Sequence, residues 1–542
     1  MNAGLLAVWV ILGYLALLIG IGMLSSRFGR GTSADYFVAS RGIGPVFLLL
    51  TIFGTTMTAF AMVGSTAEAF TGGVGVYGLM VSWSGLVHSL CFFLVGVRLW
   101  AFGKRYGYVT QIQFFRDRFE SNGLGLVLFP ALVGLVIPYL LVGVIGGGKS
   151  IEAITAGALP AVFAATKGGI PFWLGSGVVC IVVLIYVFLG GARGATWANA
   201  FQTLVFVVLG VVTFGVIEDK LGGFQKATAM VAEHNPAHLK FGASAEDHAV
   251  FEAQMAAFQA GETPIKPREP ESIPPLIFLT YFFIPFSVAM FPHLFQHWLT
   301  ARSAKSFKLS VVAHPLLMAV VWFPCVLIGV WATSAVFEGK AVIPPDFANA
   351  NAVLAVMVRK LAPPVLGGLL TAGVLAAIMS SLDSQFLCVS SIFSNDILAH
   401  YVGHDRVTDR QKVFAGRVFV ILIVAITYGL GLWLSESRSV FTLGVWCFTG
   451  FAGLSPLVFA ALYWKGATKL GAYACVLTTV GLGLWMCWQS DFGAKADYTV
   501  FGMMPVAPLI IASTAALVFV SLVTPIVSPK TLERFFGKQH AG

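Results

Sequence analysis

About thirteen apolar stretches run through this chain, each long enough to cross the roughly 30 Å of hydrocarbon in a bilayer. They lie at 5–25, 44–71, 74–99, 124–156, 170–189, 194–217, 272–299, 308–336, 362–394, 413–435, 439–463, 468–489 and 503–527. Hydrocarbon offers no partner to a backbone N–H or C=O, so each stretch must close its hydrogen bonds internally, as a helix. Composition agrees, with 58% of the 542 residues hydrophobic and 11% charged, which excludes an ordinary soluble domain. The expectation is an all-α membrane protein with a single membrane domain over 1–528 and a short tail, 529–542. The first stretch opens with Met1-Asn2-Ala3-Gly4, which has no basic side chain and no convincing cleavage site after it. It reads as a retained span and not as a signal peptide.

The net charge of +9 does not point to nucleic acid, because the basic residues are sorted by loop. Arg27, Arg30 and Arg41 follow the first span; Lys104, Arg105, Arg116 and Arg118 the third; Arg193 the fifth; Arg302, Lys305 and Lys308 the seventh. Arg406, Arg410, Lys412 and Arg417 follow the ninth, Lys465 and Lys469 the eleventh, and Lys530, Arg534 and Lys538 lie in the tail. The short even-numbered loops carry little beyond Lys167, Arg438 and Lys495, although the loop after the eighth span has Lys340, Arg359 and Lys360. Short basic loops stay in the cytoplasm. Thirteen spans in a plasma (inner) membrane then put the N-terminus outside and the C-terminus inside. Residues 218–271 form the one long extracytoplasmic loop, with Pro264, Pro267 and Pro270 and a short helix near Glu246–Ala260. It reads as a connector in preference to a lid. Gln111–Glu120 is amphipathic and is expected along the inner surface. All seven cysteines fall within spans and none forms a CxxC, so they read as small apolar packing residues.

Within the ninth span sits a polar run, Ser380-Ser381-Leu382-Asp383-Ser384-Gln385. An intramembrane cluster of this kind must face protein, water or an ion. At about 100° per residue, Ala377, Ser380, Ser381 and Ser384 share one helix face, with Asp383 at its edge. Hydroxyls and free carbonyls are hard oxygen donors suited to a small alkali cation. Serines bonding back to carbonyls one turn earlier are the plainer account, but five polar residues in six, one of them a carboxylate, weigh against it.

Two spans read as broken. The second carries Gly54-Thr55-Thr56-Met57-Thr58, and the seventh carries Pro274-Pro275, Pro285 and Pro292. Irregular backbone at mid-membrane is tolerated where it lines a site, and matching broken helices in two halves point to a transporter of inverted repeats. Ordinary proline kinks remain the alternative. Repeat 1 would cover 44–217 and repeat 2 would cover 272–463.

Several blocks resemble the sodium:solute symporter family. They are Asp35-Tyr36-Phe37-Val38-Ala39-Ser40-Arg41, Gly146-Gly147-Gly148-Lys149-Ser150-Ile151-Glu152, Tyr186 through Gln202, Ala377–Gln385, and Leu454-Ser455-Pro456 followed by Tyr463 through Ala472. The resemblance implies a five-plus-five inverted-repeat, LeuT-like core with an extra N-terminal helix and two extra C-terminal helices. It also implies a sodium site formed by the carbonyls of Gly54, Met57 and Ala377 with the hydroxyls of Ser380 and Ser381. One departure stands out: Asn199 occupies a place where many members carry Asp, while Asp383 appears on the ninth span. The expectation is a relocated carboxylate, with Asn199, Asp383 and Ser384 forming a second, inner cation site. A structural Asp383 that binds no ion is the alternative.

A solute pocket is expected between spans two, three, seven, eight and eleven, with Thr58, Ser82, Ser84, Tyr281, Ser287 and Thr442 as candidate lining. Lys149 and Glu152, three apart on a helix, read as a structural pair. Glu68 reads as a solvated vestibule carboxylate, and His88, His293, His314, Gln296 and Trp446 as weaker cavity candidates. No Walker A sequence and no catalytic or metal-ligand spacing is present, which argues against an ATP-driven pump and a membrane enzyme. The function expected is sodium-coupled import of a small organic solute by alternating access. The bilayer and the solute are the partners, with no nucleic acid and no obligate protein partner; Na⁺ is the coupling ion and no organic cofactor is expected. Alternatives are a proton-coupled carrier using Glu68 or Asp383, and a solute sensor or channel-like protein that does not concentrate its ligand.

Overall fold

The structure is a computed structural model describing residues 3–27, 32–403, 406–435, 439–495 and 497–537; Arg30, Arg438 and Lys538 of the charge pattern lie outside them. Each expected span has a helical segment. The first is α1 (Ala3–Ser26). The second is bent by 56° between α2 (Pro45–Thr56) and α3 (Phe60–Gly72). The cause is local: Thr56 bonds back to the carbonyls of Ile52 and Phe53, Met57 leaves helical geometry (φ −87, ψ 81), and the Thr58 hydroxyl accepts the Phe60 N–H. Then come α4 (Gly75–Tyr106), α5 (Gln111–Phe119), α6 (Asn122–Ile154) and α7 (Phe172–Lys220). The fifth and sixth spans are the two arms of α7, which turns at Gly191. Gly191 takes φ 54, and a Cβ there would meet the backbone oxygen of Tyr36 at 2.8 Å, so only glycine suits the turn.

The long loop forms α8 (Phe224–His234) and α9 (Ala245–Gln259), the latter started by a Ser244/Asp247 capping box. The loop is more than a connector. Val74 N–H donates to the His238 carbonyl (2.8 Å), His238 Nε2 meets the Thr71 carbonyl (3.0 Å), and Asn235 Nδ2 donates to Ser334 (2.8 Å). It is docked on the C-terminal end of α3, because the backbone groups freed where α3 stops need partners there.

The seventh span is bent by 53° between α10 (Pro275–Ala289) and α11 (Pro292–Thr300). Its second half, Tyr281–Ala289, winds as a tighter 3-10 helix around Pro285. The broken spans meet at one end. Ile43 N–H donates to the Thr300 carbonyl (3.0 Å), and Arg302 N–H donates to the Ile43 carbonyl (2.8 Å). That meeting of the start of one broken helix with the finish of the other is what two halves of opposite orientation produce.

After α12 (Phe307–Ala332) comes a small hairpin, β1 (Val336–Phe337) paired antiparallel with β2 (Lys340–Ala341). The remaining long helices are α13 (Pro364–Val402), α14 (Asp409–Leu434), α15 (Val440–Tyr463), α16 (Lys469–Gln489) and α17 (Val506–Leu522). Helix α13 is the central post, packed against α7 and α1 and buried along most of its length. Helix α5 does not lie along the surface as its amphipathy suggests. Phe114, Phe115, Arg116, Arg118 and Phe119 are buried, with Arg116 paired to Asp396 of α13 and Arg118 donating to the carbonyls of Ala461 and Trp464. A guanidinium with five donors can enter a protein interior when carbonyls and a carboxylate take up its protons, a possibility invisible to a pattern of polar and apolar residues. Tail helix α18 (Pro529–Phe536) seats Phe535 on Phe102 and Phe114 and pairs Arg534 with Asp117 at 2.7 Å. All of the cysteines but Cys487 are buried.

Candidate sodium and solute sites

The break in the second span sets up the first site. Helix α2 stops at Thr56, so its last carbonyls have no partner in the next turn, and the negative end of its dipole lies at mid-span. Helix α13 fills that gap. The Ser380 hydroxyl lies 2.8 Å from the Gly54 carbonyl and 2.9 Å from the Ala377 carbonyl. Gly54 must be a glycine: a Cβ there would run into the Thr203 hydroxyl on α7. Met57 is buried at the break. Ser381 accepts from Gln385 Nε2 at 2.6 Å. Next to Gly54 in the chain, the buried Thr55 hydroxyl has no hydrogen-bond partner. The oxygens expected to form this site are all uncharged, and such hard donors suit a small alkali cation. Among the described residues no group of three or more His, Cys, Asp or Glu side chains could hold a metal, so a transition-metal reading has no support from those side chains.

One turn further along α13 lies a second polar cluster. Ser384 Oγ is its centre, 2.9 Å from Asn199 Nδ2, which donates to it, 3.0 Å from Asp383 Oδ1 and 2.9 Å from His297 Nε2. Asp383 Oδ2 accepts from the Tyr186 hydroxyl at 3.0 Å. The structure thus brings together the three residues expected here and adds Tyr186 and His297, which the sequence reading did not assign. The Tyr186 signal was available, since it opens one of the blocks resembling the family. His297 had no local signal; it reaches Ser384 only because α11 packs on α13. Asp383, Asn199 and the side chain of Gln202 are fully buried, and Asn199 Oδ1 and both Gln202 side-chain polar atoms lack partners. Among the described residues, the hydrogen bonds of Asp383 go to Tyr186 and Ser384, and no salt bridge to it is formed. A buried carboxylate without a cationic partner is costly, and a bound cation or a proton relieves the cost.

The third feature is a small cavity of about 30 Å³, bordered by the broken helices, α4, α6, α12 and α15. It lies between spans two, three, seven, eight and eleven as expected, with Tyr139 of the fourth span added. Of the expected lining, Ser84, Tyr281 and Ser287 border it. Ser82 does not. It sits two residues from Ser84, about 200° round the helix, and is exposed on the other face of α4. Thr58 is occupied in capping α3. Thr442 and Trp446 border a separate apolar pocket between α15, α6 and α16, because α15 has a different face on each side. His314 Nε2 lies 3.0 Å from Thr56 Oγ1, and His88 borders the cavity. Gln296 is structural, donating to the Phe37 carbonyl, and Lys149 lies 3.8 Å from Glu152. His293 is fully buried against Tyr139 and Phe291, and neither ring nitrogen has a partner.

Two broken helices, a post of buried hydroxyls and a small cavity between them define a secondary carrier of the LeuT-like fold. The sequence profile of the Sodium:solute symporter family matches residues 36–479, and the chain belongs to that family. Among curated proteins it is 25% identical over 524 residues to "Sodium/proline symporter 2" of Staphylococcus saprophyticus, covering 95% of this chain and 92% of that one. It is likewise 25% identical to "Sodium/proline symporter" of Staphylococcus aureus, covering 94% of this chain and 91% of that one. In fold it is similar to a Na⁺-coupled sialic acid symporter in a substrate-bound outward-open state (TM-score 0.73, 18% identity, 97% of this chain and 100% of that one). It is also similar to Mhp1, a nucleobase-cation-symport-1 family transporter (TM-score 0.55, 13% identity, 92% and 97%). The chain is therefore a multi-pass membrane protein that carries a small solute by symport with sodium, and it is a transporter, not an enzyme.

Proposed function

We propose that the carbonyls of Gly54, Met57 and Ala377 and the hydroxyls of Ser380 and Ser381 hold the coupling sodium ion. Asn199, Asp383 and Ser384 form a second, inner cation position. The observation that carries this reading is the Ser380–Gly54 contact, which joins the post α13 to the break between α2 and α3. A cation there supplies the positive charge that the end of α2 attracts and ties the two helices together. Sodium so bound favours the geometry that accepts solute, and the coupling is reciprocal, so solute must tighten sodium binding by the same factor.

Repeats 44–217 and 272–463 then rock about the shared site, opening it alternately to each side. With the N-terminus outside and the tail inside a plasma membrane, the sodium gradient drives import. One charge moving through 100 mV supplies about 2.3 kcal/mol, and a tenfold sodium gradient about 1.4 kcal/mol more. Together they support solute accumulation of roughly several hundred-fold.

The test is uptake into proteoliposomes under an imposed sodium gradient, with choline as the replacement ion and a proton gradient as the comparison. Accumulation that needs sodium is the expected result. Equal uptake in choline removes the sodium site, and accumulation driven by protons alone transfers the coupling to another ion.

A further inference from the structure

The apolar pocket between α6, α15 and α16 has a volume of about 420 Å³, far more than the cavity between the broken helices. Helix α15 borders it from Thr442 to Leu454, roughly 18 Å of helix. A cavity of about 150 Å³ holds a benzene ring, so this one takes roughly a dozen methylene groups or more. Its wall is close to pure hydrocarbon. Among the described residues no charged or histidine side chain borders it. Two of its polar groups are already engaged: the Thr479 hydroxyl lies 2.8 Å from the Gly453 carbonyl, and the Cys447 thiol donates to the Leu135 carbonyl at 3.3 Å. Water in such a space finds too few partners, whereas an alkyl chain needs none.

The pocket opens sideways, through the membrane-facing surface. Leu484 borders it and is 65% exposed on a helix that crosses the bilayer, so what that side chain meets is lipid. One end lies at Leu434, Cys487 and Phe492, next to the exposed Trp433 and Trp488. Exposed tryptophans collect at the level of the headgroups, and the other end, at Leu454, lies deeper along α15. The pocket is therefore continuous with the lipid surface of the protein and runs from headgroup level into the hydrocarbon, as a phospholipid tail does.

We propose that this pocket holds one acyl chain of a bilayer phospholipid, kept as an individual molecule, with its headgroup at the level of Trp433 and Trp488. The chain backs α15, whose other face sets Phe448 against the cavity between the broken helices. Neither the sodium sites nor the identity of the solute enters this proposal.

The test is photolabelling with a phosphatidylethanolamine that carries a diazirine midway along one acyl chain. The full chain is reconstituted with this lipid, extracted in detergent, washed, and only then irradiated. Label is expected on peptides within 442–454 and 479–487, and not on the exposed Phe414 and Leu422 of α14, where lipid exchanges freely. Two variants fill the pocket from different walls. A Cβ on Gly134 meets nothing within 4 Å, so Gly134→Phe sends a ring into open space; a Cβ on Gly483 meets only Leu509, at 3.8 Å, so Gly483→Leu does the same from α16. Each should cut the pocket label at least roughly tenfold, the worth of about two buried methylene groups. An unfolding temperature like the parent's identifies the variant that folds and is to be read. No pocket label on the washed parent overturns the proposal, as does a folded variant labelled like the parent. A washed parent that is dimeric, with its pocket unlabelled and 442–454 cross-linked to a second copy, gives the face to that copy and overturns it too.

Discussion

The Ser380 hydroxyl donates to the Gly54 carbonyl across 2.8 Å, joining residues 326 positions apart. The contact exists because α2 ends early and leaves that carbonyl free. Ser380→Ala removes one oxygen from the cage while α13 stays buried and helical. The sodium concentration for half-maximal uptake should rise between roughly tenfold and a hundredfold, the worth of a contact to a full charge. Sodium titration of uptake measures it, and an unmoved midpoint takes Ser380 out of the site.

Asp383 and Asn199 sit on different helices and meet at Ser384. Asp383→Asn keeps an acceptor for Tyr186 but removes the charge. If the cluster holds a cation, the number of sodium ions moved per solute falls by one, read as the reversal potential of coupled current in proteoliposomes. Adding Asn199→Asp to that variant should restore the number, since the carboxylate then returns to the same cluster from the α7 side. Unchanged stoichiometry in Asp383→Asn would make the residue purely structural.

His238 fastens the long loop to the end of α3 through the Thr71 carbonyl. Burial, followed by Arg268 nearby, lowers its pKa to about 4, against the pull of its bonds to backbone carbonyls. The sign follows from linkage. The undocked loop takes up a proton below about pH 6.5, and the docked loop does not until about pH 4. Docking is therefore at full strength above pH 6.5 and weakens as pH falls toward 4, by roughly 3 kcal/mol in all. Hydrogen exchange in 224–260 should rise over that window, and His238→Gln should flatten the response. Exchange that is independent of pH would mean the imidazole is not what couples the loop to acid.

Arg116 lies 3.2 Å from Asp396, both buried. Arg116→Met strands a carboxylate inside the protein, at a cost of about 3–5 kcal/mol. The pair Arg116→Met with Asp396→Leu should recover most of that loss, because it removes the stranded charge along with its partner. Thermal unfolding of the single and double variants compares the two. A double variant no more stable than the single would show that the guanidinium matters for its bond to the Asp396 carbonyl and not for the charge.

The sites were legible to different depths. Glycine, hydroxyl and proline residues announced both breaks, because each weakens a helix by a local rule. The polar run on α13 announced its own importance, since hydroxyls inside hydrocarbon need a reason. The solute cavity was less legible. Ser82 and Ser84 look equivalent as sequence, and only the rotation of α4 sends one outward. Trp322 reads as ordinary apolar filling until the structure places it beside the cavity. Helix α5 reads as a surface helix because nothing local reveals that Asp396 and the Trp464 carbonyl await its arginines.

Taken alone, the sequence determined that this protein lives in a membrane, that it is helical, where two of its helices break, and which oxygen donors cluster on one face. Those properties follow from solvent and from neighbours along the chain. The tertiary structure alone decided that Gly54 meets Ser380, that Asn199 and Tyr186 meet the Asp383–Ser384 pair, and which faces enclose the cavity. Such meetings depend on how helices distant in sequence rotate and pack, and helical periodicity fixes a residue's angle about its own axis without fixing what stands opposite it.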